Sequence, residues 1–301
     1  MRRACPPRPP SRPGASMSKP ELIVALGERR YAVERPWPQT PEGRALKGIT
    51  DVAVDRRGQV LVYQRIDSLV EAPIDPVAVF DAEGQWVGAW GRDAVVDAHS
   101  LSVAPDGRIL LIDRDAHQVL IFDADFRPLG SLGERHGPNR PFNHPTDVAV
   151  APSGDIYVAD GYGAAHVHRF DGAGRLIQTW GRPGRGPGEF TTPHGIAVLP
   201  DGRVLVGDRE NDRVQVFTPE GAFLDAWGDF FHPMDIHVDA TGLVHVTDQI
   251  PRLSLLAPDG TLLGRCRPVL NGAHGMSSDK AGNLYLAEQN PNRITRLRRL
   301  G

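Results

Sequence analysis

Residues 192–217 read TPHGIAVLPDGRVLVGDRENDRVQVF, and their punctuation decides the fold. A short apolar run, Gly195-Ile196-Ala197-Val198, ends just before the turn Pro200-Asp201-Gly202. Proline presets φ, and Asp-Gly supplies positions that tolerate left-handed backbone, so the chain reverses tightly there. A second apolar run reaches Asp208 and a third covers Val214–Phe217. Runs this short, bounded by turns, read as antiparallel strands rather than helices.

The same grammar recurs along the chain. Aligned on the first strand, copies start at residues 50, 99, 146, 194, 234 and 274, a spacing of 40–49 residues that matches propeller blades. Second strands end in an acid (Asp113, Asp160, Asp208, Asp248), and fourth strands end in Trp90-Gly91, Trp180-Gly181 or Trp227-Gly228. Acids that recur in most copies serve the blade, by bonding to loop backbone, and the tryptophans serve packing. Four strands in each of six copies give an all-β fold, a six-bladed β-propeller. The last copy stops after its third strand, Arg293–Arg298. Glu21–Gly27 (ELIVALG) has the fourth-strand pattern and is expected to pair there, closing the ring at its N-terminus and covering an open edge.

Composition fits such an array and narrows the function. The 301 residues are 40% hydrophobic and 24% charged, with a formal net charge of −3. That balance offers no basic face for nucleic acid. No apolar run has the roughly 18–20 residues of a membrane helix. With only two cysteines, Cys5 and Cys266, a disulfide framework is not expected. Residues 1–20 are rich in proline and arginine and lack the apolar segment of a signal peptide, so they read as a disordered leader before a propeller over 21–301. The expectation that follows is a cytoplasmic monomer.

Function shows where the repeat breaks its own pattern. His99, His194 and His274 fill the position before the first strand in copies two, four and six, where the other copies carry Thr50, Thr146 and Met234. Alternate blades of a closed ring of six lie 120° apart, so these imidazoles are expected to converge on the axis. Histidine is only 11 of 301 residues, which makes three in alternate slots a pattern that composition does not explain. Three neutral imidazoles with a vacant fourth position suit catalytic zinc; iron, copper or manganese share the ligand type. His144 and His232, two positions before their slots in copies three and five, are the residues most able to supplement this site. His117, His166, His168, His237 and His245 read as ordinary loop or strand residues. Asp51, Asp147 and Asp235 follow the slot in the odd copies and read as structural, with a channel-facing role as the alternative.

Two further breaks follow the recurrent acid. Copy three has Asp160-Gly161-Tyr162-Gly163, a tyrosine in a glycine-flanked loop at one end of the channel, and copy four has Asp208-Arg209-Glu210-Asn211. A tyrosine beside a cation can serve as general base, because positive charge favours the phenolate. An arginine beside it can hold a carboxylate in a fork. Both residues have plainer readings, a loop aromatic and a surface turn.

Read together, Phe142-Asn143-His144-Pro145-Thr146-Asp147, Asp160-Gly161-Tyr162, Phe190-Thr191-Thr192-Pro193-His194 and Asp208-Arg209-Glu210-Asn211 resemble NHL-repeat propellers and, within them, the peptidylglycine α-amidating lyases. The resemblance runs over residues 46–298 and is densest from 142 to 217. It implies zinc on His99, His194 and His274, a catalytic Tyr162, and active-site arginines at Arg209 and Arg65. It implies a zinc-dependent lyase that cleaves an N-(α-hydroxy) amide of α-hydroxyglycine type, with a carboxylate-bearing small molecule or peptide as substrate and no nucleic-acid or membrane partner. The departures are specific. The two cysteines that bracket the family's tyrosine are Asn143 and Gly163 here. The acid the family uses for calcium after the third histidine is Gly275, so structural Ca2+ is not carried over. A methionine two residues before that histidine is Gly272. A zinc-dependent hydrolase of an ester, lactone or amide, and a non-catalytic NHL propeller acting as an interaction module, are the alternative readings.

Overall fold

The structure is a computed structural model in which residues 21–65, 73–269 and 271–301 are described. The expected leader, residues 1–20, lies outside them. Six antiparallel sheets radiate from a central pore. Their innermost strands are Ile49–Val54, Ala98–Val103, Asp147–Val150, Pro193–Val198, Pro233–Val238 and Ala273–Ser278. Each lies against the next, and the sixth returns to the first. No helix among the described residues is long and apolar enough to cross a membrane.

Local chemistry explains each blade. In blade four, Gly202 takes φ +91°, and the Asp201 carboxylate accepts the backbone N–H of Arg203 at 3.1 Å, which tightens the turn between Pro193–Val198 and Val204–Asp208. The second strand, Val204–Asp208, is buried along its whole length because neighbouring sheets cover both of its faces. The six apolar clusters accordingly lie between blades. One joins Leu110 and Ile112 of blade two to Val148, Ile156 and Val158 of blade three; another joins Tyr157 and Val167 of blade three to Ile196, Val204 and Val206 of blade four. The recurrent acids do serve the blade: Asp113 accepts the N–H groups of Val96 and Asp97, and Asp208 accepts that of Thr191, each at 2.9 Å.

Ring closure uses the N-terminal segment, but with a different strand from the one expected. The partner of Asn292–Leu300 is Arg29–Trp37, in antiparallel register. Ile23–Leu26, within the stretch expected to close the ring, pairs with Arg29–Trp37 as a fifth, outer strand and lies along the outer edge of blade five. Hydropathy favoured the apolar ELIVALG segment, whereas the strand that pairs carries a charge complementary to its partner. Glu34 receives Nε of both Arg296 and Arg298 at 2.6 Å, while Tyr31 and Trp37 are buried between blades.

Candidate active site

His99, His194 and His274 start, or nearly start, the inner strands of the even blades and meet in the pore. One ring nitrogen of each lies within 4.8 Å of the others, and the ring centroids are 4.9–5.2 Å apart. The opposite nitrogens fix the tautomers. Nδ1 of His99 is 2.6 Å from the carbonyl oxygen of Thr146, that of His194 is 2.7 Å from Met234, and that of His274 is 2.8 Å from Thr50. A carbonyl oxygen only accepts, so Nδ1 carries the proton and Nε2 presents its lone pair to the axis. Burial pushes the pKa of all three imidazoles down, that of His274 to about 4, and the nearby positive groups push the same way. Three neutral, oriented, converging lone pairs form a donor set able to hold a metal ion.

Tyr162 stands over this set. Its hydroxyl is 3.2 Å from Nε2 of His99 and 3.0 Å from Nε2 of His194. The loop is tied at its two ends: the N–H of Gly163 donates to the carbonyl of Asn143 at 2.9 Å, and Asn143 Nδ2 donates to the carbonyl of Gly163 at 3.0 Å. A Cβ at Gly163 would meet Asn143 Cγ at 2.4 Å, so glycine permits the close approach. Hydrogen bonds thus close the loop.

Arg209 donates from Nη1 to the Tyr162 hydroxyl at 3.2 Å, and its guanidinium carbon is 5.3 Å from the ring centroid. Glu210 grips Arg209 through Nε and Nη2, at 2.8 and 2.7 Å. Arg65 lies at the blade-one side of the mouth, with Nε 2.6 Å from Asp97 and 2.9 Å from the carbonyl of Ala98. Arg114, which the sequence reading passed over, places its guanidinium 5.5 Å from the Tyr162 centroid. The signal was present: Arg65, Arg114 and Arg209 each follow the last residue of a second strand, Gln64, Asp113 and Asp208.

His144 and His232 do not supplement the triad. Both sit at positive φ, +63° and +49°, which turns them out of the pore. His144 packs edge-on against His117, and His232 stacks on Phe231. His168 and His245 are strand residues, as expected, and both are buried, with His168 between Asp160 and Thr179 and His245 on Asp239.

Asp51, Asp147 and Asp235 form a second ring in the pore, below the histidines. A cavity of about 250 Å³ opens beneath it, lined also by His237, Ser277 and Ser278. Each carboxylate accepts the N–H of its own next residue, and each also accepts an N–H from the following blade: Leu101, Ile196 and Met276. The structural and the channel-facing readings of these residues therefore both hold. A Cβ at Gly275 would meet Asp51 Oδ1 at 1.8 Å, so the Asp51 carboxylate fills the room that a side chain at 275 would need.

Comparison with known proteins agrees with this architecture. The NHL repeat model matches residues 142–170 and 190–217. Peptidyl-alpha-hydroxyglycine alpha-amidating lyase 1 of Drosophila melanogaster is 30% identical over 240 residues, 69% of this chain and 44% of the fly protein. The chain thus spans less than half the length of that relative. Human NHL repeat-containing protein 3 is 28% identical over 288 residues, 86% of this chain and 81% of the human protein. A gluconolactonase from Xanthomonas campestris superposes with TM-score 0.66 at 18% identity, covering 96% of this chain and 99% of its own, a likeness of fold alone. The chain is a six-bladed β-propeller carrying NHL repeats, with peptidyl-α-hydroxyglycine α-amidating lyases among its curated relatives at about 30% identity.

Proposed function

We propose that the protein is a metal-dependent lyase that splits the C–N bond of an N-(α-hydroxy) amide, releasing an amide and a glyoxylate-type acid. The observation that carries this reading is the placement of one phenol hydroxyl within hydrogen-bond reach of two of three converging, unprotonated imidazole nitrogens. The relatives named as lyases support the reaction class. The donor set suits zinc, which, held by the three Nε2 atoms, would act as a Lewis acid on the substrate hydroxyl.

The chain's own groups do the remaining work. Tyr162 takes the proton from the substrate hydroxyl, and Arg209, donating to the same phenol oxygen, stabilises its anionic form. As the C–O bond becomes a carbonyl, the C–N bond breaks and its electron pair goes to nitrogen. Tyr162 then returns the proton to that nitrogen, so no water is consumed. Arg65 holds the substrate carboxylate at the mouth. A carboxylate-bearing small molecule or peptide is the partner this site fits, with the protein acting as a monomer.

The test is metal analysis of the wild type and His194→Ala, with an assay of glyoxylate release from an N-acyl-α-hydroxyglycine. Stoichiometric metal in the wild type, lost in His194→Ala, together with glyoxylate formation that falls about 10²–10⁴-fold in Tyr162→Phe at unchanged metal content, is expected. Metal with ester or lactone hydrolysis but no glyoxylate would replace the lyase with a hydrolase. Metal with no turnover would leave an interaction module.

A further inference from the structure

Three arginines occupy one slot of the repeat in blades one, two and four, and they are not used alike. Arg209 is fully engaged: Nε and Nη2 hold Glu210, and Nη1 donates to Tyr162. Arg65 and Arg114 instead share a carboxylate through their Nε edges. Asp97 Oδ1 is 2.6 Å from Arg65 Nε, and Asp97 Oδ2 is 2.7 Å from Arg114 Nε. Asp115 adds a second acceptor to Arg114 Nε at 2.9 Å.

This anchoring turns the outer edges of both guanidiniums away from their protein partners. Arg65 Nη2 is buried and has no hydrogen-bond partner among the described residues. No partner holds the Nη atoms of Arg114 among those residues either. Asp97 Oδ2 beside Arg65 is also buried without a hydrogen bond among them, so the donors open to a ligand are those on the exposed parts of the two guanidiniums. The two side chains are 29% and 27% exposed, open enough for a small ligand to reach them. Arg114 lies over the Tyr162 ring, its guanidinium carbon 5.5 Å from the centroid. An acceptor held by this pair therefore sits beside the tyrosine and the converging imidazoles.

We propose that Arg114 and Arg65, held at a common carboxylate by Asp97, form a two-guanidinium fork for a carboxylate on the substrate, and that Arg114 determines selectivity for anionic over neutral substrates. The proposal rests on the lyase reading for the identity of the substrate, but the fork itself is defined by binding. Two guanidiniums with free N–H edges match the planar, bidentate geometry of a carboxylate, which a single lysine would not reproduce.

The test compares N-benzoyl-α-hydroxyglycine with its neutral carboxamide, following benzamide, the product common to both. The wild type is expected to favour the acid. In Arg114→Gln, kcat/KM for the acid falls at least about tenfold while that for the carboxamide changes less than about threefold, and Arg114→Lys recovers only part of the loss. Equal losses on the two substrates would overturn the fork and leave Arg114 as a support for Tyr162. Calorimetric titration with benzoylglycine, an unreactive carboxylate, separates this from the lyase reading. Binding that weakens tenfold or more in Arg114→Gln supports the fork even if neither substrate turns over. Wild-type affinity no greater for benzoylglycine than for its neutral amide overturns it.

Discussion

Even and odd blades use the same stretch of the repeat in opposite ways. Even blades place histidine at the slot and a small residue after it; odd blades place Thr50, Thr146 or Met234 at the slot and aspartate after it. The two rings interlock. Each histidine donates Nδ1–H to the slot carbonyl of the next odd blade, and each aspartate accepts an N–H from the next even blade. All six blade junctions are thereby stitched at the axis. The aspartates spend their oxygens on backbone N–H groups. The histidines keep one lone pair each. One ring is therefore structural and the other is open to a ligand, although only about 10 Å³ of space lies between them.

Substituting one member of each ring should separate these roles most sharply. His99→Ala removes an axial lone pair and is expected to weaken metal binding by more than about 100-fold. The metal-free protein should lose only about 1 kcal/mol, since one carbonyl, that of Thr146, loses its donor. Asp147→Ala strips the acceptor from Val148 N–H, Ile196 N–H and the Ser100 hydroxyl together. It should cost the metal-free protein about 3 kcal/mol while leaving the three Nε2 atoms in place. Metal analysis beside denaturant unfolding of both variants checks the contrast. Metal loss in Asp147→Ala with retention in His99→Ala would invert the assignment.

Why one ring was readable as a site and the other was not follows from residue types. Histidine is uncommon, and three in alternate slots announce a shared purpose. Aspartate at a strand start is ordinary, so the channel-facing role stood only as the alternative to a structural one until the coordinates joined the two. Tyr162 and Arg209 were visible because they broke the repeat. Arg114 hid inside Asp113-Arg114-Asp115, which reads as a surface turn, and only slot-by-slot counting against Arg65 and Arg209 exposes it. Asp97 and Glu210 gain meaning from the arginines they hold, a relation that depends on which blades adjoin. The closing strand was missed for a related reason: its ion pairs with Arg296 and Arg298 are long-range, while hydropathy is local.

The rings should also differ in pH response, with opposite signs. Burial pushes the histidines down, so in the metal-free protein the unfolded chain binds more protons as pH falls below about 6.5. Stability is therefore lost as pH falls from there through about 4. For the aspartates, burial first, and for Asp51 and Asp235 repulsion from neighbouring carboxylates, pushes the folded values up, that of Asp235 to about 8. Their stability contribution is present below the ordinary carboxylate range and is lost as pH rises through about 8. The two slopes oppose each other below pH 6.5, leaving the aspartate slope alone above it. Melting temperature of metal-free protein should fall by a few degrees between pH 6.5 and 8, and Asp235→Asn should flatten that fall. A fall unchanged in the variant would remove the aspartate ring as its source.

The smallest expected effect concerns the clasp that sets Tyr162 above the histidines. Asn143→Ala deletes the bond from Nδ2 to the Gly163 carbonyl and the contact of Oδ1 with Nδ1 of His144, but keeps the backbone bond from Gly163 N–H to the residue-143 carbonyl. Both lost bonds lie at the surface of the loop, where water can replace the missing partner, so stability should drop by about 1 kcal/mol. The loop should nevertheless hold Tyr162 less tightly. Its hydroxyl sits 3.0–3.2 Å from three partners, and small displacements lengthen all three contacts together. Turnover is therefore expected to fall about threefold, more than metal content does. Equal, slight losses in both would place the clasp with the scaffold and leave Tyr162 positioned by Arg209 and the imidazoles alone.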